Sequence, residues 1–542
     1  MNRYKFPKKN VAFLALLVIS LGGCNDFLEE NPKNELSEGT FWNTRNDAMM
    51  ALMGCYERLD AGWVTFDGWV VNTVYFDEWT DVATHIRTGE PCNFPQAGIL
   101  PTNTQVNAMW VSQYKKIARV NYFLENIHKV NMDDTERAEM IAEARFLRCY
   151  SYFWLSQLFG NVPLATRVLT FDEANSIGQT PREEIIAFVL SELTEVAEDL
   201  PVSRPAAEKG RNEKGAALVL KGRLLMAEKR WAEAAETFKS VMELNRYQID
   251  PRFKKLFEDE GEDSNEIIFS TLYTQTEDGQ RISQQVNWPS WFGGNNGNQF
   301  FQEFVDQFLM NDGMPIEESP RYDPEHPFEN RDPRLYHTVM LPGYSTVDGR
   351  VFQGHPDSIA RFGQMGPGCT GYMMNKFHDR EYEGVRNQYG GDFPLMRYAE
   401  VLLSRLESEL EAGTGISQAL LDETINKVRA RAEVGMPPVT ETDPDKLRKI
   451  IRRERLVELA CEGGIRYWDL LRWGTLDEAL SQTFHGMKIT PDPAQYNGSY
   501  NINEKGHLII EKKPFHDHNY LWPIPLEEIN VNKNLVQNPG YN

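Results

Sequence analysis

Lys214-Gly-Ala-Ala-Leu-Val-Leu-Lys-Gly-Arg-Leu-Leu-Met-Ala-Glu-Lys-Arg-Trp-Ala-Glu-Ala-Ala-Glu-Thr-Phe-Lys-Ser-Val-Met-Glu-Leu244 is the stretch on which the fold turns. Its apolar residues recur at helical spacing, so it reads as a pair of helices. With Gly222 as the small residue of the first helix, Ala234 follows 12 positions later and Phe238 16 positions later. Leu218, Leu225 and Val241 fill the other apolar positions, while Lys221 fits poorly.

Those offsets match the Gly, Ala and Phe positions of a tetratricopeptide repeat, in which small residues let paired helices approach closely. Looser versions run over 138–159 with the helix before it, and over 398–432, where Ala412-Gly413 and Ala419 mark a turn and a second helix. A solenoid needs several stacked repeats and only one is clean. The expectation is therefore a mostly α body, with tetratricopeptide-like helix pairs forming a scaffold mainly over 104–250 and 395–480. Further helices are expected over 46–59, 104–130 and 134–159. Another starts at Thr180 and runs to Leu200, with Thr180 as cap, Pro181 at the first helical position and Glu183 completing a capping box.

Between 257 and 393 the helical period breaks down. A short strand is expected at 266–272 and a short helix at 299–308; Gly, Pro, Asn, Asp and aromatic residues fill most of the rest. Long loop-rich runs in a compact protein tend to carry function, and the aromatic load argues against disorder. With 60–103, this region is expected to form a loop-rich α/irregular ligand-binding face.

The first residues carry Arg3, Lys5, Lys8 and Lys9, then an apolar run over 11–21, then Gly22-Gly23-Cys24. The run falls well short of the roughly 20 residues that span a bilayer. It reads as a signal peptide over 1–23 with Cys24 as the lipidation site. A polar tether over 24–40 then leads to a single body over 41–542. The product would be a water-soluble body held to a membrane by acyl chains.

Hydrophobic residues at 41% and charged residues at 25% describe an ordinary globular chain. With 57 basic against 79 acidic residues, the net charge of −22 opposes long-range attraction to nucleic acid or anionic lipid. Six cysteines (Cys24, Cys55, Cys92, Cys149, Cys369, Cys461) lack the close spacing of a disulfide framework or zinc cluster. Cys55, Cys149 and Cys461 sit in apolar helical patterns and read as buried small hydrophobes.

No motif for metalloprotease, nucleotide, serine-hydrolase or dithiol chemistry is present. Gly293-Gly-Asn-Asn-Gly297 lacks the strand-to-helix context of a phosphate cradle, and His516-Asp-His518 reads as a polar turn. Asp77, Glu78 and Asp81 flank Trp79, but glycoside hydrolysis needs two carboxyls about 5 to 9 Å apart in space, which adjacency in sequence does not establish. The chain is read as non-enzymatic, without metal or cofactor.

What stands out is aromatic residues beside amides, carboxylates and arginine in irregular segments. One set is Trp63, Phe66, Trp69, Tyr75, Asp77, Trp79, Arg87 and Phe94; another is Trp288, Trp291, Phe292, Asn295 and Asn296; Tyr372 and Tyr389 follow. Sugars present apolar C–H faces that stack on rings and hydroxyl edges that pair with amides, carboxylates and guanidinium groups. The candidate glycan-binding residues are Trp63, Trp69, Asp77, Trp79, Arg87, Trp288, Trp291, Phe292, Asn295 and Tyr372. The competing reading is that these rings plug the loops into the helical body.

Arg452-Arg-Glu-Arg-Leu-Val-Glu-Leu-Ala-Cys-Glu-Gly-Gly-Ile-Arg-Tyr-Trp-Asp-Leu-Leu-Arg-Trp-Gly474 joins a charged helix to an aromatic–basic turn. Glu454, Glu458 and Glu462 fall at i, i+4 and i+8, spaced to pair with Arg455, Arg466 or Arg472, with Trp468 and Trp473 burying the turn. This string closely resembles the C-terminal signature of the SusD/RagB family of outer-membrane nutrient-binding lipoproteins. Asp26-Phe-Leu-Glu-Glu-Asn-Pro, Glu143-Ala-Arg-Phe-Leu-Arg, Arg331-Asp-Pro-Arg-Leu335, Arg397-Tyr-Ala-Glu and Leu521-Trp-Pro-Ile-Pro agree in order. The resemblance implies helix pairs supporting a loop-rich ligand face at the cell exterior. It also implies that the protein caps a SusC-like TonB-dependent outer-membrane transporter and delivers oligosaccharides to it, with Glu29 and Glu30 in an acidic export tag. A lid for a transporter of non-sugar cargo, such as peptides, is the alternative.

Overall fold

In the computed structural model, residues 41–56, 63–64, 70–71, 73–85, 98–275, 297–347, 349–355 and 369–541 are described. The signal peptide, Cys24, the tether and Cys92 lie outside them. Helix α1 (Arg45–Cys55) opens at Thr44, whose side chain accepts from the Asp47 N–H while the Asp47 carboxylate accepts from the Thr44 N–H. The longer helices that follow are α2 (Thr104–Asn126), α3 (Asp134–Phe159), α4 (Arg182–Asp199), α5 (Lys214–Ala227), α6 (Trp231–Glu243), α7 (Tyr398–Ala412), α8 (Pro444–Leu459) and α9 (Ile465–Trp473). From α2 to α9 each packs on the next in chain order, even though residues 244–397 separate α6 from α7. That succession of neighbours is the helical scaffold.

The α5–α6 pair follows the reading of its sequence. A Cβ on Gly222 would lie 2.5 Å from the Phe238 ring, so the absent side chain lets the two helices close. Ala234, Phe238, Leu225 and Val241 are all buried. Helix α3 begins where Asp133 accepts from the Thr135 and Glu136 N–H groups, and ends at Gly160 with φ of 72°.

Two local expectations need correction. Thr180 does not cap α4: its N–H donates to the Val162 carbonyl, Pro181 takes the capping position in an extended conformation, and the Asn161 side chain accepts from Arg182 N–H at 2.9 Å. The segment 299–308 is a strand and then a helix: Asn298–Phe300 pairs on both edges, and Gln302–Asp306 follows.

The strands are short: β1 (Trp63–Val64), β2 (Val70–Val71), β3 (Ala83–His85), β4 (Ile267–Thr271), β5 (Asn298–Phe300), β6 (Val339–Met340), β7 (Thr346–Val347), β8 (Arg350–Val351), β9 (Met373–Met374), β10 (Phe393–Arg397), β11 (Thr483–Lys488) and β12 (His507–Lys512). The largest sheet has the order β3-β5-β9-β6 and is antiparallel throughout. Strand β10 pairs with β4 and runs straight into α7. One apolar core extends from α1 through the scaffold to Trp522 and Leu535. Cys55, Cys149, Cys369 and Cys461 are buried free thiols.

The signature helix is held differently from its expected pairing. Glu454 and Glu458 on α8, and Glu462 just beyond it, turn into the body instead of toward Arg455, Arg466 and Arg472. Arg334 donates to Glu454 at 2.6 Å and Glu458 at 3.0 Å, and clasps Asp332. Arg397 donates to Glu462 at 2.5 Å, to Glu458 at 3.2 Å and to Glu266. Arg431 bridges Glu266 and Glu458 at 2.7 and 2.8 Å, Arg429 holds Glu454 at 2.7 Å, and the Lys376 ammonium meets Glu462 at 2.5 Å. Arg334, Arg397, Arg429, Arg431 and Lys376 thus face Asp332, Glu266, Glu454, Glu458 and Glu462, all buried, so the cluster is neutral overall. Arg455 pairs with Asp469, Arg466 with Asp81, and Arg472 with Glu407 and Asp469. The quoted motifs Arg331-Asp-Pro-Arg334 and Arg397-Tyr-Ala-Glu therefore supply two of the five counter-charges, Arg334 and Arg397.

Candidate functional site

The four-stranded sheet fixes where two aromatic-bearing segments are rooted. Strand β3 ends at His85, which pairs with Asn298 at the start of β5. Arg87 lies two residues beyond His85, and Asn295 lies three residues before Asn298. Opposed residues in an antiparallel pair have Cα atoms about 5 Å apart. His85, the last described residue before 86–97, and Asn298, close behind 276–296, therefore stand side by side in the sheet. At a second place, Trp63 pairs with Val71, so Trp69 falls in the connection between β1 and β2, and β1 packs on α2.

A buried lysine braces the β3 root. Lys513 donates to the carbonyls of Glu78, Thr80 and Ala83 at 2.6, 2.7 and 2.7 Å, with its ammonium over the rings of Phe301 and Phe484. Nothing in the local sequence around Lys513 signals this role, because the carbonyls it holds lie more than 400 residues earlier in the chain.

Of the ten candidate residues, Trp69, Arg87, Trp288, Trp291, Phe292 and Asn295 lie outside the described residues, and only the backbone pairing of Trp63 is described. The other three are buried in the body. Trp79 contacts the rings of Phe76 at 4.3 Å and Trp522 at 4.9 Å, and Trp522 donates from Nε1 to the Tyr467 hydroxyl at 3.0 Å. Tyr372 donates its hydroxyl to Gln302 at 2.5 Å. Asp77 is 1% exposed and accepts the Cys461 N–H. In all three the side chain is packed into the body: rings and carboxyl join the 73–85 segment and β9 to the core. Asp77 and Glu78, both buried, are likewise closed to a substrate as a carboxylate pair. The residues 516–518 form a turn, as expected, in which Asn519 accepts from the His516 N–H.

Asp77 also carries a pH consequence. Burial pushes its carboxyl up to about 7, against the opposing effect of the Cys461 N–H, and Oδ1 has no hydrogen-bond partner. A carboxyl raised in the folded state contributes stability that is present below its ordinary value of 3.8 and lost as pH rises through about 7. Asp77→Asn keeps an acceptor for Cys461 and removes the titration. Relative to wild type, the variant is expected to gain stability on the order of a few kcal/mol between pH 4 and 7. Urea unfolding at both pH values checks this; a constant difference between the two proteins would contradict it.

Among the described residues no group of three or more His, Cys, Asp or Glu is placed to hold a metal ion, and no helix is long and apolar enough to cross a membrane.

With this geometry in hand, the chain can be set beside known proteins. A sequence model of the SusD family matches residues 265–541, and one described as starch-binding associating with outer membrane matches 26–224. SusD-like protein P25 of Formosa agariphila is 24% identical over 98% of this chain and 99% of its own. The starch-binding protein SusD of Bacteroides thetaiotaomicron is 23% identical over 81% of this chain and 79% of its own. A solved SusD-like carbohydrate binding protein from Bacteroides fragilis superposes with a TM-score of 0.84 at 34% identity, covering 92% of this chain and all of the other. Surface glycan-binding protein A from Bacteroides thetaiotaomicron, solved with laminarihexaose, shares the fold with a TM-score of 0.69 at 20% identity, over 91% of this chain and 99% of the other. The family model alone spans more than half of the sequence, and the chain belongs to the SusD family.

Proposed function

We propose that this protein is a non-catalytic glycan-binding lipoprotein of the outer membrane, facing the cell exterior, which captures oligosaccharides and delivers them to a SusC-like TonB-dependent transporter. The observation that carries the reading is the pairing of His85 with Asn298, which brings together the points from which the chain continues toward Arg87 on one side and toward Asn295, Phe292, Trp291 and Trp288 on the other. Rings beside amides and a guanidinium are the mixture a neutral oligosaccharide needs. Relatives named for carbohydrate, starch and laminarihexaose binding support the same reading. Binding of this kind needs no cofactor, and Cys24 supplies the lipid anchor.

Native electrophoresis in gels cast with neutral polysaccharides tests the cargo. Retardation by at least one polymer is the expected result. Retention by none, together with binding to a peptide mixture, would favour a lid for non-sugar cargo. Co-purification of a TonB-dependent transporter from solubilised outer membranes tests the partner.

A further inference from the structure

Among the scaffold helices lies a cavity of about 260 Å³, walled by α3, α5, α7 and α9, with Arg182 of α4, Arg455 of α8, Tyr520 and Leu521 also lining it. Phe153, Trp468 and Tyr520 give it ring surfaces.

Its polar lining is unbalanced. Arg223 donates from Nε and Nη2 to Glu400 at 2.6 and 2.7 Å, and from Nη2 to the Leu395 carbonyl; Nη1 has no acceptor among the described residues. Arg472 commits Nε and Nη2 to Glu407 and Asp469, leaving Nη1 in the same position. Gln157 has a buried Nε2 without a partner. On the acceptor side, Gln157 Oε1 is open, but both oxygens of Glu400 are taken by Arg223, and those of Asp469 by Arg455 and Arg472. The lining therefore offers donors in excess. Of these donors Gln157 Nε2 is fully buried, where a missing acceptor is costly, and an occupant that brings acceptors removes that cost while meeting the two guanidinium nitrogens. Hydroxyl groups bring a donor with each acceptor, whereas an ionised carboxylate brings acceptors alone.

We propose that this cavity binds a single acidic sugar unit, a uronate, its carboxylate met by the Gln157, Arg223 and Arg472 donors and its C–H face by Trp468. The volume suits one pyranose ring, and the rings around it suit the apolar face of a sugar. The proposal is argued from the scaffold helices alone and holds or fails whether or not a polysaccharide binds elsewhere on the protein.

Glucuronate titrated into detergent-solubilised full-length protein, followed by calorimetry, tests the proposal, with glucose and acetate as controls. Glucuronate is expected to bind at least ~10-fold more tightly than either control. Gln157→Glu places a carboxylate on a side chain that makes no hydrogen bond, and is expected to weaken glucuronate at least ~10-fold with the unfolding midpoint unchanged. Gln157→Met, which removes the donor without adding charge, should weaken it in the same direction. Equal binding of glucose would show that the carboxylate is not recognised, and equal binding of acetate that the ring is not. Either result, no binding of glucuronate, or binding indifferent to both variants would overturn the proposal.

Discussion

Glu458→Ala is expected to destabilise the fold by about 3–5 kcal/mol, because it strands guanidinium groups in the interior without their counter-charge. Glu458 is fully buried and accepts from Arg334, Arg397 and Arg431 at 3.0, 3.2 and 2.8 Å. Burial alone would push its carboxyl up, but Arg431, Arg397 and Arg334 outweigh it and hold the group well below the usual carboxylate range. The sign follows: this stability is present above the ordinary value of 4.5 and is lost as pH falls toward the depressed folded value. Urea unfolding at neutral pH is the readout. Glu233→Ala, which removes an exposed pair with Arg230, serves as the control and should cost about 0.5 kcal/mol or less. Equal, small losses in both variants would mean that the buried cluster does not hold the signature helix in place.

The second large effect concerns binding. Trp288→Ala together with Trp291→Ala is expected to weaken capture of the cognate polysaccharide by about 100-fold. Each stacked ring face is worth ~1.5 kcal/mol, and every 1.4 kcal/mol is tenfold in affinity. Affinity and stability must be measured on the same preparation, since the competing reading gives these rings a packing role. Lost affinity with an unchanged unfolding midpoint supports the glycan face. A lowered midpoint with unchanged affinity would assign both rings to packing, as the structure does for Trp79.

The contrast between those tryptophans explains what could be read from the sequence. Helices announce themselves locally: the Gly222, Ala234 and Phe238 offsets and the Asp133 to Gly160 boundaries are set by residues within a few turns of one another. Trp79 does not, because its ring partners Tyr467 and Trp522 are distant in sequence, and an aromatic residue in an irregular segment looks the same whether it faces a ligand or a core. The same blindness misassigned the signature carboxylates. Nearby arginines offered partners at helical spacing, while the true ones arrive from other elements, from Arg429, 25 residues before Glu454, to Arg334, 120 residues before it. Glu454 and Glu458 continue the stripe of Leu447 and Ile451 at helical spacing, and that was the available signal that they face the core and need counter-charges from elsewhere. Strand β5 was hidden by its length, since three residues are too few to establish a period of two.

The most direct measurement is calorimetry of the protein from residue 25 onward against neutral plant, host and microbial polysaccharides, with peptides alongside. The account predicts saturable heat with at least one polysaccharide and none with peptides. Silence across the polysaccharides with saturable binding of peptide would contradict it.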